Sequence, residues 1–316
     1  MKRLFILLRK FWWFPAIIFA NLTLAVMYPP DWAIFRAFAG HAVYIMFAFF
    51  ALAIGFLMLQ QTRLMVTSFL CCATLCLHLQ QSAGSQEFRY GYTQPNNERR
   101  LRIVHFSTTN TDGDYTRNIK EIVAAKPDII SVQEVTPDWD DALQTLLEKD
   151  YPNSRSFKRI DNYGIAIFSK YPLNRIDTFE TNHVPNIIGS IRVDSLYPDV
   201  FFVASQTVPA LTANSYETIR HHLSCIAARV KNINAPIITF GNYYCVPWSS
   251  EIQSFRDDTN LSDGHRYFSP DAPSPTDFIF FSHHFNCLSF EPLKDKNKEV
   301  IGIWGDYQFK TRTPLK

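Results

Sequence analysis

The sequence predicts an α/β domain in which two β-sheets pack together with helices outside them, preceded by three membrane-spanning helices. Charged residues are absent from three nearly consecutive stretches near the N-terminus, which cover residues 11–30, 37–62 and 64–86. Beyond them, strand patterns recur many times and helical patterns only a few times, over more than 200 residues. Many strands with few helices are typical of sheets that pack together and are covered by helices.

Each uncharged stretch is long enough to cross a membrane, because a hydrocarbon core of about 30 Å needs roughly 20 apolar residues. Apolar helices also fill the cores of soluble proteins, but three such stretches in a row favour a membrane. The first stretch also resembles a signal peptide, since four basic residues precede it. The nearest small-residue cleavage pattern, Ala37-Phe38-Ala39, runs directly into the second stretch. We therefore expect a retained anchor, with residues 1–84 forming three transmembrane helices.

The positions of basic residues predict the orientation of this anchor. Four Lys or Arg residues precede the first span, Arg36 lies between the first and second spans, and Arg63 lies between the second and third. Cytoplasmic flanks of membrane spans are enriched in Lys and Arg. The N-terminus is therefore expected in the cytoplasm, and the residues after Gly84 are expected on the opposite side of the membrane.

Charge and cysteine content exclude some classes of protein. Residues 1–84 hold six Lys or Arg and one Asp, a net charge of +5, whereas the whole chain carries +2, so the remainder carries −3. An acidic domain gains no general attraction to nucleic-acid phosphates, and nucleic acid is not an expected partner. Three cysteines lie within the third span, and the other three, Cys225, Cys245 and Cys287, have no CxxC spacing. The sequence therefore indicates neither a disulfide framework nor a structural zinc site.

The large domain is predicted to begin after an exposed linker. Residues 85–100 mix Gly, Pro, Asn and charged residues without apolar periodicity, which is typical of a connector to a domain of residues 101–316. Apolar periodicity predicts helices at 115–125, 137–147 and 215–230. Strands are predicted at 101–106, 129–132, 164–168, 188–193, 200–204, 237–240, 277–281 and 307–310. The string Ser262-Asp263-Gly264-His265 is interpreted as a polar loop.

Seven motifs follow one another in an order that resembles a known family. They are LRIVHFSTTN from Leu101, PDIISVQEV from Pro127, NYGIAIFSKYPL from Asn162, VASQTVPAL from Val203, ITFGNYYCVPWSS from Ile238, SPTDFIFFS from Ser274 and WGDYQF from Trp304. This order resembles the endonuclease/exonuclease/phosphatase superfamily of metal-dependent phosphoesterases. The resemblance implies a four-layered α/β sandwich, with two mixed sheets flanked by helices, over about residues 101–310.

The resemblance also implies eight positions of an active site, of which only some are retained. The retained acids are Glu134, Asp277 and Asp306. Five positions depart from the family pattern: Ser107 replaces Asn, Gln206 replaces His, Asn242 replaces Asp, Tyr244 replaces Asn and Tyr307 replaces His. By the resemblance, Glu134 and Asp306 are the expected ligands of a divalent cation. Glu134 alternatively has a structural role, with its carboxylate accepting hydrogen bonds from backbone N–H groups.

The replaced positions predict a loss of activity. The amide of Asn242 cannot act as a base, and one acid/base group alone typically contributes about 10²–10⁴-fold to a rate. Groups that act together lose most of the rate when one is removed, so the expected activity is near background. No cofactor is expected with assurance, and any binding of Mg²⁺ is expected at millimolar concentrations or weaker.

Three functions remain open from the sequence. The first is a membrane-tethered pseudoenzyme that keeps the fold as a binding or scaffolding module, with a protein partner in a membrane complex. The second is a divergent Mg²⁺-dependent phosphodiesterase or phosphatase, in which Glu134 and Asp306 hold the metal and Asp277 supplies the base. The third places function in the membrane part, because Asn21, His41 and His78 are polar groups within or beside the spans. By the resemblance, a bacterial inner membrane with a periplasmic domain is the expected location.

Overall fold

The computed structural model describes residues 11–30, 33–82, 93–110, 114–265 and 276–310. The chain divides into two compact units. The first comprises Met1–Gly84, Leu211–Asn214 and Val246–Gln253, and the second comprises Ser85–Ala210, Ser215–Cys245 and Ser254–Lys316.

The first unit is built from four helices. They are α1 (Trp13–Met27), α2 (Ala33–Gly40), α3 (Ala42–Met58) and α4 (Thr62–Ser82). Among the described residues, α4 alone is long and apolar enough to cross a membrane by itself, while the apolar helices α1 and α3 have 15 and 17 residues. The expectation of three spanning helices is therefore not supported, and the four basic residues before the first span lie outside the described residues.

The predicted second span is broken near its start. Its first residues form the end of α2, and His41 leaves helical geometry with a φ of −101° and a ψ of 17° before α3 begins. The uncharged stretch of residues 37–62 therefore holds the end of one short helix and a second helix of 17 residues. An absence of charge marks an apolar environment, but it does not mark where a helix is interrupted.

Two contacts join the segment Val246–Gln253 to the helices within the first unit. The indole Nε1 of Trp248 donates a hydrogen bond of 2.7 Å to the carbonyl of Ala39. Arg36 Nη1 lies 2.5 Å from Glu251 Oε1, and both side chains are buried. Trp248 also packs against an apolar cluster contributed by the helices, which contains Val26, Ala42, Met46, Phe49, Cys71 and Leu75.

The second unit contains twelve strands in the described residues. They are β1 (Arg100–Ser107), β2 (Ile129–Gln133), β3 (Asn153–Phe157), β4 (Ile165–Ser169), β5 (Leu173–Thr181), β6 (Val184–Ile191), β7 (Val200–Ala204), β8 (Ile237–Asn242), β9 (Ser262–Asp263), β10 (Asp277–Phe281), β11 (Phe285–Lys294) and β12 (Val300–Phe309). The helices that follow α4 are α5 (Tyr115–Ala124), α6 (Pro137–Leu147), α7 (Ala213–Val230) and α8 (Ser250–Thr259).

The strands form two mixed sheets of six strands each. The first sheet has the order β11-β12-β1-β2-β4-β3, and the second has the order β5-β6-β7-β8-β10-β9. Each sheet contains one parallel pair, β1 with β2 and β7 with β8. The connections within these pairs contain α5 and α7, as parallel neighbours require a crossover of this kind. The predicted pair of packed sheets with helices outside is confirmed.

The largest apolar layer of the second unit lies between the two sheets. It includes Ile103, Ile129 and Tyr307 from the first sheet and Phe202 and Phe240 from the second. A second apolar layer covers the outer face of the first sheet, where side chains of α5 and α6 pack. These buried faces explain why both sheets read as nearly continuous apolar strands in the sequence.

Local capping sets the start of two of the helices. Asp114 accepts a hydrogen bond from the N–H of Arg117 at 3.1 Å, where α5 begins. Thr136 accepts one from the N–H of Trp139 at 3.4 Å, and Pro137 occupies the first turn of α6. Asp and Thr are favoured caps, and Pro suits the first turn because its missing N–H would have no partner there.

Candidate functional site

The candidate site lies where the parallel strands of both sheets end. Ser107 and Gln133 are the last residues of β1 and β2, and Asn242 is the last residue of β8. Gln206 follows β7 by two residues, and Asp277 pairs with Asn242 at the start of β10. The carboxyl ends of parallel strands are the usual location of binding sites in α/β sheets.

Gln133 joins the two sheets directly below this site. Its Nε2 donates a hydrogen bond of 2.5 Å to the carbonyl of Ser205, and its Oε1 accepts one of 3.1 Å from the N–H of Asn242. The close approach depends on Gly241, because a Cβ there would lie 1.7 Å from the Ser205 carbonyl oxygen. The Gln133 side chain therefore uses both ends of its amide to hold β7 and β8 against β2.

Glu134 lies beside Gln133, and its carboxylate is enclosed by hydroxyl groups. Oε2 accepts hydrogen bonds from the hydroxyls of Ser107 and Thr109. Oε1 accepts one of 3.2 Å from the hydroxyl of Tyr244. The residue has a left-handed φ of 62°, and its carbonyl accepts a further bond of 2.7 Å from the Thr108 hydroxyl. Side-chain hydroxyls, and not the expected backbone N–H groups, stabilise the carboxylate.

Tyr244 links Glu134 to the other replaced positions. Its hydroxyl accepts a hydrogen bond of 3.4 Å from Gln206 Nε2, and its backbone N–H donates one of 2.9 Å to Asn242 Oδ1. Burial, and next the charge of Glu134, raises the pKa of Tyr244 to about 12. The phenol is therefore protonated at neutral pH and acts as a donor toward Glu134.

Asp277 faces a histidine that the sequence had not singled out. Its Oδ1 lies 3.8 Å from His105 Nε2, and neither atom has a hydrogen-bond partner among the described residues. Burial raises the pKa of Asp277 to about 7, with His265 lowering and Glu134 raising it, while burial lowers the pKa of His105 to about 3. The distance alone would allow an ion pair. Because burial raises the pKa of Asp277 to about 7 and lowers that of His105 to about 3, both groups are uncharged between these two pH values.

The structure does not bring Asp306 or Tyr307 to this site. Asp306 pairs with Arg102 across β12 and β1, through contacts of 2.6 and 2.7 Å, whereas the end of β1 lies opposite Gly302. Four residues of strand separate Gly302 from Asp306, which is roughly 13 Å. Tyr307 lies in the layer between the sheets, with its hydroxyl 3.5 Å from the Ile279 carbonyl. The expected metal pair of Glu134 and Asp306 is thus not assembled.

Two contributors to the site were missed in the sequence. His105 lies two residues before Ser107 on β1, and side chains two apart in a strand share one face, so its position could have been inferred. Thr109, which donates to Glu134, follows the strand in a short 3₁₀ turn (Thr108–Asn110), and no pattern in the sequence predicts that contact. His265, which was expected in a polar loop, is buried and lies 5.0 Å from the ring of Phe278.

The resemblance implies a divalent cation at Glu134, but the donors present do not fit one. Both carboxylate oxygens already accept hydrogen bonds from hydroxyl groups. Within the described residues, no three His, Cys, Asp or Glu side chains gather as metal ligands. Mg²⁺ is usually held by one or two carboxylates together with waters and phosphate oxygens, whereas the carboxylate of Glu134 here accepts from three hydroxyl groups. The metal role of Glu134 stays an expectation from the resemblance.

The sequence profile of the endonuclease/exonuclease/phosphatase family matches residues 107–297, which is more than half of the chain. This range includes Ser107, Glu134, Gln206, Asn242, Tyr244 and Asp277 and ends before Asp306. No curated protein matches the sequence at a significant level.

Several solved structures share the fold at low sequence identity. An endonuclease/exonuclease/phosphatase from Beutenbergia cavernae DSM 12333 is 16% identical, with coverage of 67% of this chain and 72% of that one and a TM-score of 0.55. One from Bacteroides vulgatus is 14% identical, with coverage of 67% and 100% and a TM-score of 0.56. The human Nocturnin catalytic domain with bound sulfate anion is 16% identical, with coverage of 67% and 95% and a TM-score of 0.55. Such identities establish the fold alone.

The buried pair predicts how stability depends on pH. The pKa of Asp277 is about 7 in the folded chain, against about 3.9 when unfolded. The folded state therefore holds its proton more tightly, and stability from this group is lost as the pH rises from about 4 through 7. Asp277→Asn should stabilise the full-length chain at pH 8 by an amount on the order of 1–4 kcal/mol, and by less at pH 5. Urea unfolding at both pH values measures the difference.

Asp263→Asn provides a matched control of opposite sign. Burial raises the pKa of Asp263, but His265 and Arg256 outweigh this effect and leave that pKa lowered. The Asp263 carboxylate therefore stabilises the fold above its unfolded pKa, and its removal should destabilise the chain at pH 8 more than at pH 3. An Asp277→Asn variant that gains no stability between pH 5 and pH 8 would contradict a raised pKa.

The hydroxyl environment of Glu134 predicts a weak response to Mg²⁺. With a dissociation constant in the millimolar range or above, about 5 mM MgCl₂ stabilises a protein by roughly 1 kcal/mol or less. Thermal unfolding of the full-length chain should show a gain no larger than this, and Glu134→Gln should respond in the same way. A gain of about 3 kcal/mol that disappears in Glu134→Gln would instead reveal a resident cation site.

Proposed function

The chain belongs to the endonuclease/exonuclease/phosphatase family, and from that premise we propose that it is a catalytically impaired member, anchored in a membrane, whose α/β domain serves as a binding or scaffolding module. The observation that carries the proposal is the closure of Glu134 by the hydroxyls of Ser107, Thr109 and Tyr244. These hydroxyls occupy three of the roughly four acceptor positions of the carboxylate, so a cation at Glu134 would have to share it with three donors.

The other groups around Glu134 also lack acid/base chemistry. Hydrolysis of a phosphate ester needs a base that activates water and groups that stabilise the developing charge. Asn242 and Gln206 are neutral amides. The Asn242 side chain accepts from the backbone N–H of Tyr244, and the Gln206 side chain donates to the phenol of Tyr244 and to the Asn162 carbonyl. Asp277 is only 2% exposed and faces His105. These features support a site that holds its own network and does not turn over substrate.

One observation favours a second candidate, a divergent phosphoesterase. A carboxyl group with a pKa near 7 is poised for proton transfer at neutral pH, and such shifts cluster at active sites. Asp277 has this property. Its burial between the two sheets argues against contact with a substrate, and Asp306, the other expected acid, pairs with Arg102. We therefore rank this function second.

The membrane anchor is supported by the outward surface of the helices in the first unit. Less than a quarter of the apolar window of α4 is buried. Large apolar side chains are also exposed along the other helices, including Phe14, Ile17, Tyr44, Phe47, Leu57 and Met58. A helix in water keeps its apolar residues on one buried stripe, whereas helices that are apolar on all sides suit lipid. Lipid would cover the side chains that these helices leave exposed.

The pair of Arg36 and Glu251 supports one topology for that anchor. Their 2.5 Å contact lies inside the first unit, and a bilayer cannot separate two side chains in contact. The chain between α1 and α3 is therefore proposed to lie on the same side of the membrane as residues 246–253. If α4, which is long enough to span, crosses the membrane, then α3 must cross with it as a hairpin, with the turn at Gln61 on the opposite side. The 17 residues of α3 lie at the short end of the spanning range.

The proposed loss of catalysis predicts background activity. The purified full-length chain should hydrolyse phosphodiester and phosphomonoester substrates no faster than Glu134→Ala, with either Mg²⁺ or Mn²⁺. The combined reversal of Ser107→Asn, Gln206→His, Asn242→Asp and Tyr244→Asn should raise the rate more than any single reversal, because groups that act as a unit contribute little alone. Tyr307 is left unchanged, since it lies in the layer between the sheets.

Circular dichroism and thermal unfolding must show that each reversed variant folds, because Tyr244 is a half-buried aromatic side chain. Metal-dependent turnover by the unmodified chain that is abolished by Asp277→Ala would refute the pseudoenzyme and establish the second candidate. If the unmodified chain shows no hydrolysis, a binding role remains the proposed function, with a protein partner in the membrane as the expected ligand.

The proposed topology predicts the location of three fusion points. A reporter that is active only outside the cytoplasm should be active when fused after Lys316 or after Pro30, and inactive when fused after Gln61. The N-terminus is then cytoplasmic, as the basic residues before the first span indicate. Reporter activity after Gln61 and at neither of the other fusion points would show that the anchor has the opposite orientation. Activity after Lys316 without activity after Pro30 would contradict the hairpin of α3 and α4.

A further inference from the structure

A second cavity lies in the α/β unit, at the other end of β7 from Gln206. It has a volume of about 420 Å³, and two arginines, Arg175 and Arg192, contribute to its lining together with Ser195, Tyr197, Asp199 and Phe201. Phe201 and Gln206 are five residues apart, which corresponds to roughly 16 Å along an extended chain. The cavity is therefore separate from the candidate site around Glu134.

Arg175 reaches this cavity through an irregularity in β5. Asn174 pairs with Ser190 and Asp177 pairs with Ile188, so two residues of β5 stand opposite the single residue Gly189. Such a bulge bends the strand and redirects its side chains. Arg175 occupies it with a left-handed φ of 51°, a conformation that favours glycine over any residue with a side chain.

Gly189 makes the bulge possible from the neighbouring strand. A Cβ on Gly189 would lie 2.4 Å from the Cδ1 atom of Ile176 and 2.9 Å from the ring of Phe202. With no side chain there, Ile176 packs inward and Arg175 turns outward. The Arg175 guanidinium carbon then lies 5.9 Å from the centre of the Phe201 ring, within the range of a cation–π contact.

The charges of the residues that line the cavity do not sum to zero. Arg192 Nε contacts Asp199 Oδ1 at 2.7 Å. The hydrogen bond from Arg192, and next the charges of Arg192 and Arg175, lower the pKa of Asp199 despite its burial, so this carboxylate is ionised. Arg175 has no ion pair with any described residue, and the Arg192 contact uses Nε. Among the residues that line the cavity, two arginines therefore face one carboxylate, and the terminal nitrogens of both guanidinium groups have no hydrogen-bond partner among the described residues. Beside the cavity, the Asp194 carboxylate accepts a hydrogen bond from the Ser195 hydroxyl at 3.3 Å.

We propose that this cavity binds the phosphate group of a phosphate monoester or of free phosphate. A guanidinium group donates through a planar fork that matches phosphate oxygens. A carboxylate has two oxygens, which one guanidinium can satisfy, whereas a phosphate monoester has three terminal oxygens and can accept from Arg175 and Arg192 together. The rings of Phe201 and Tyr197 then supply an apolar wall for the group that the phosphate carries.

Calorimetric titration with inorganic phosphate tests the site. The full-length chain, kept soluble in a neutral detergent at low ionic strength, should bind one phosphate per chain. Arg175→Gln and Arg192→Gln should each weaken the affinity about tenfold or more, because charged hydrogen bonds are lost. Arg155→Gln is the matched control. The Arg155 guanidinium carbon lies 5.0 Å from the centre of the Phe157 ring, so Arg155 also stacks on an aromatic ring, but it belongs to the other sheet. Absent binding, or equal weakening by the control, overturns the proposal.

Arg175→Gly separates a binding role from a packing role. Glycine relieves the left-handed strain, so this variant should unfold a few degrees higher than the unmodified chain while its phosphate affinity falls. A lower unfolding temperature with phosphate affinity retained would assign Arg175 to packing against Phe201 and overturn the site.

The source of the phosphate is distinguished by a second titration. Short-chain phosphatidic acid, used below its micelle-forming concentration, should bind at least about tenfold more tightly than inorganic phosphate if the cavity receives a lipid headgroup with its apolar body on Phe201. Equal affinity for the two probes would assign the cavity to a soluble phosphate. Either result confirms the phosphate site, provided that both affinities fall in Arg175→Gln.

Discussion

The α/β unit depends on one constraint, which is that two six-stranded sheets bury their facing surfaces against each other. Apolar side chains from both sheets fill this layer, and a polar group that reaches it without a hydrogen-bond partner costs on the order of 1–3 kcal/mol. Gln133 meets the constraint with both ends of its amide, which bond to Ser205 and Asn242 of the opposite sheet. The same contacts fix the strand ends from which the candidate site is built.

The same constraint also explains the contacts that the replaced residues of the site make. Glu134 is a buried carboxylate, and it requires donors if it is to remain charged. Ser107 and Tyr244 donate to it, and Gln206 donates to Tyr244 in turn. Asn242 then holds the backbone of Tyr244. Four of the five positions that depart from the family pattern thus belong to one connected network. A network of neutral donors stabilises the carboxylate without a cation, and it removes the groups that would activate water.

The sequence located most of this site because each of its residues follows the end of a buried strand. The apolar runs at 200–204 and 277–281 have clear boundaries, and β7 and β10 begin and end there. Prediction failed for β12, which runs from Val300 to Phe309, whereas only residues 307–310 were expected. Its first six residues include Gly302 and Gly305, which weaken strand patterns. The match of Gly305-Asp306-Tyr307 to the terminal motif of the family placed Asp306 and Tyr307 at the site end of the strand, whereas they lie near its other end. The expectation that Asp306 joins Glu134 at a metal follows from that match.

Backbone strain around Glu134 argues that the site has kept a defined shape. Glu134, Asn162 and Tyr244 all have left-handed φ values, of 62°, 62° and 50°, and each such residue costs on the order of 1–2 kcal/mol unless its surroundings hold it there. The carbonyl of Asn162 accepts from Gln206, and Tyr244 is fixed at both its N–H and its hydroxyl. A site without organised contacts would let these residues relax. The network instead holds neutral amides and hydroxyls in a defined arrangement around the Glu134 carboxylate, and the proposed binding role rests on that arrangement.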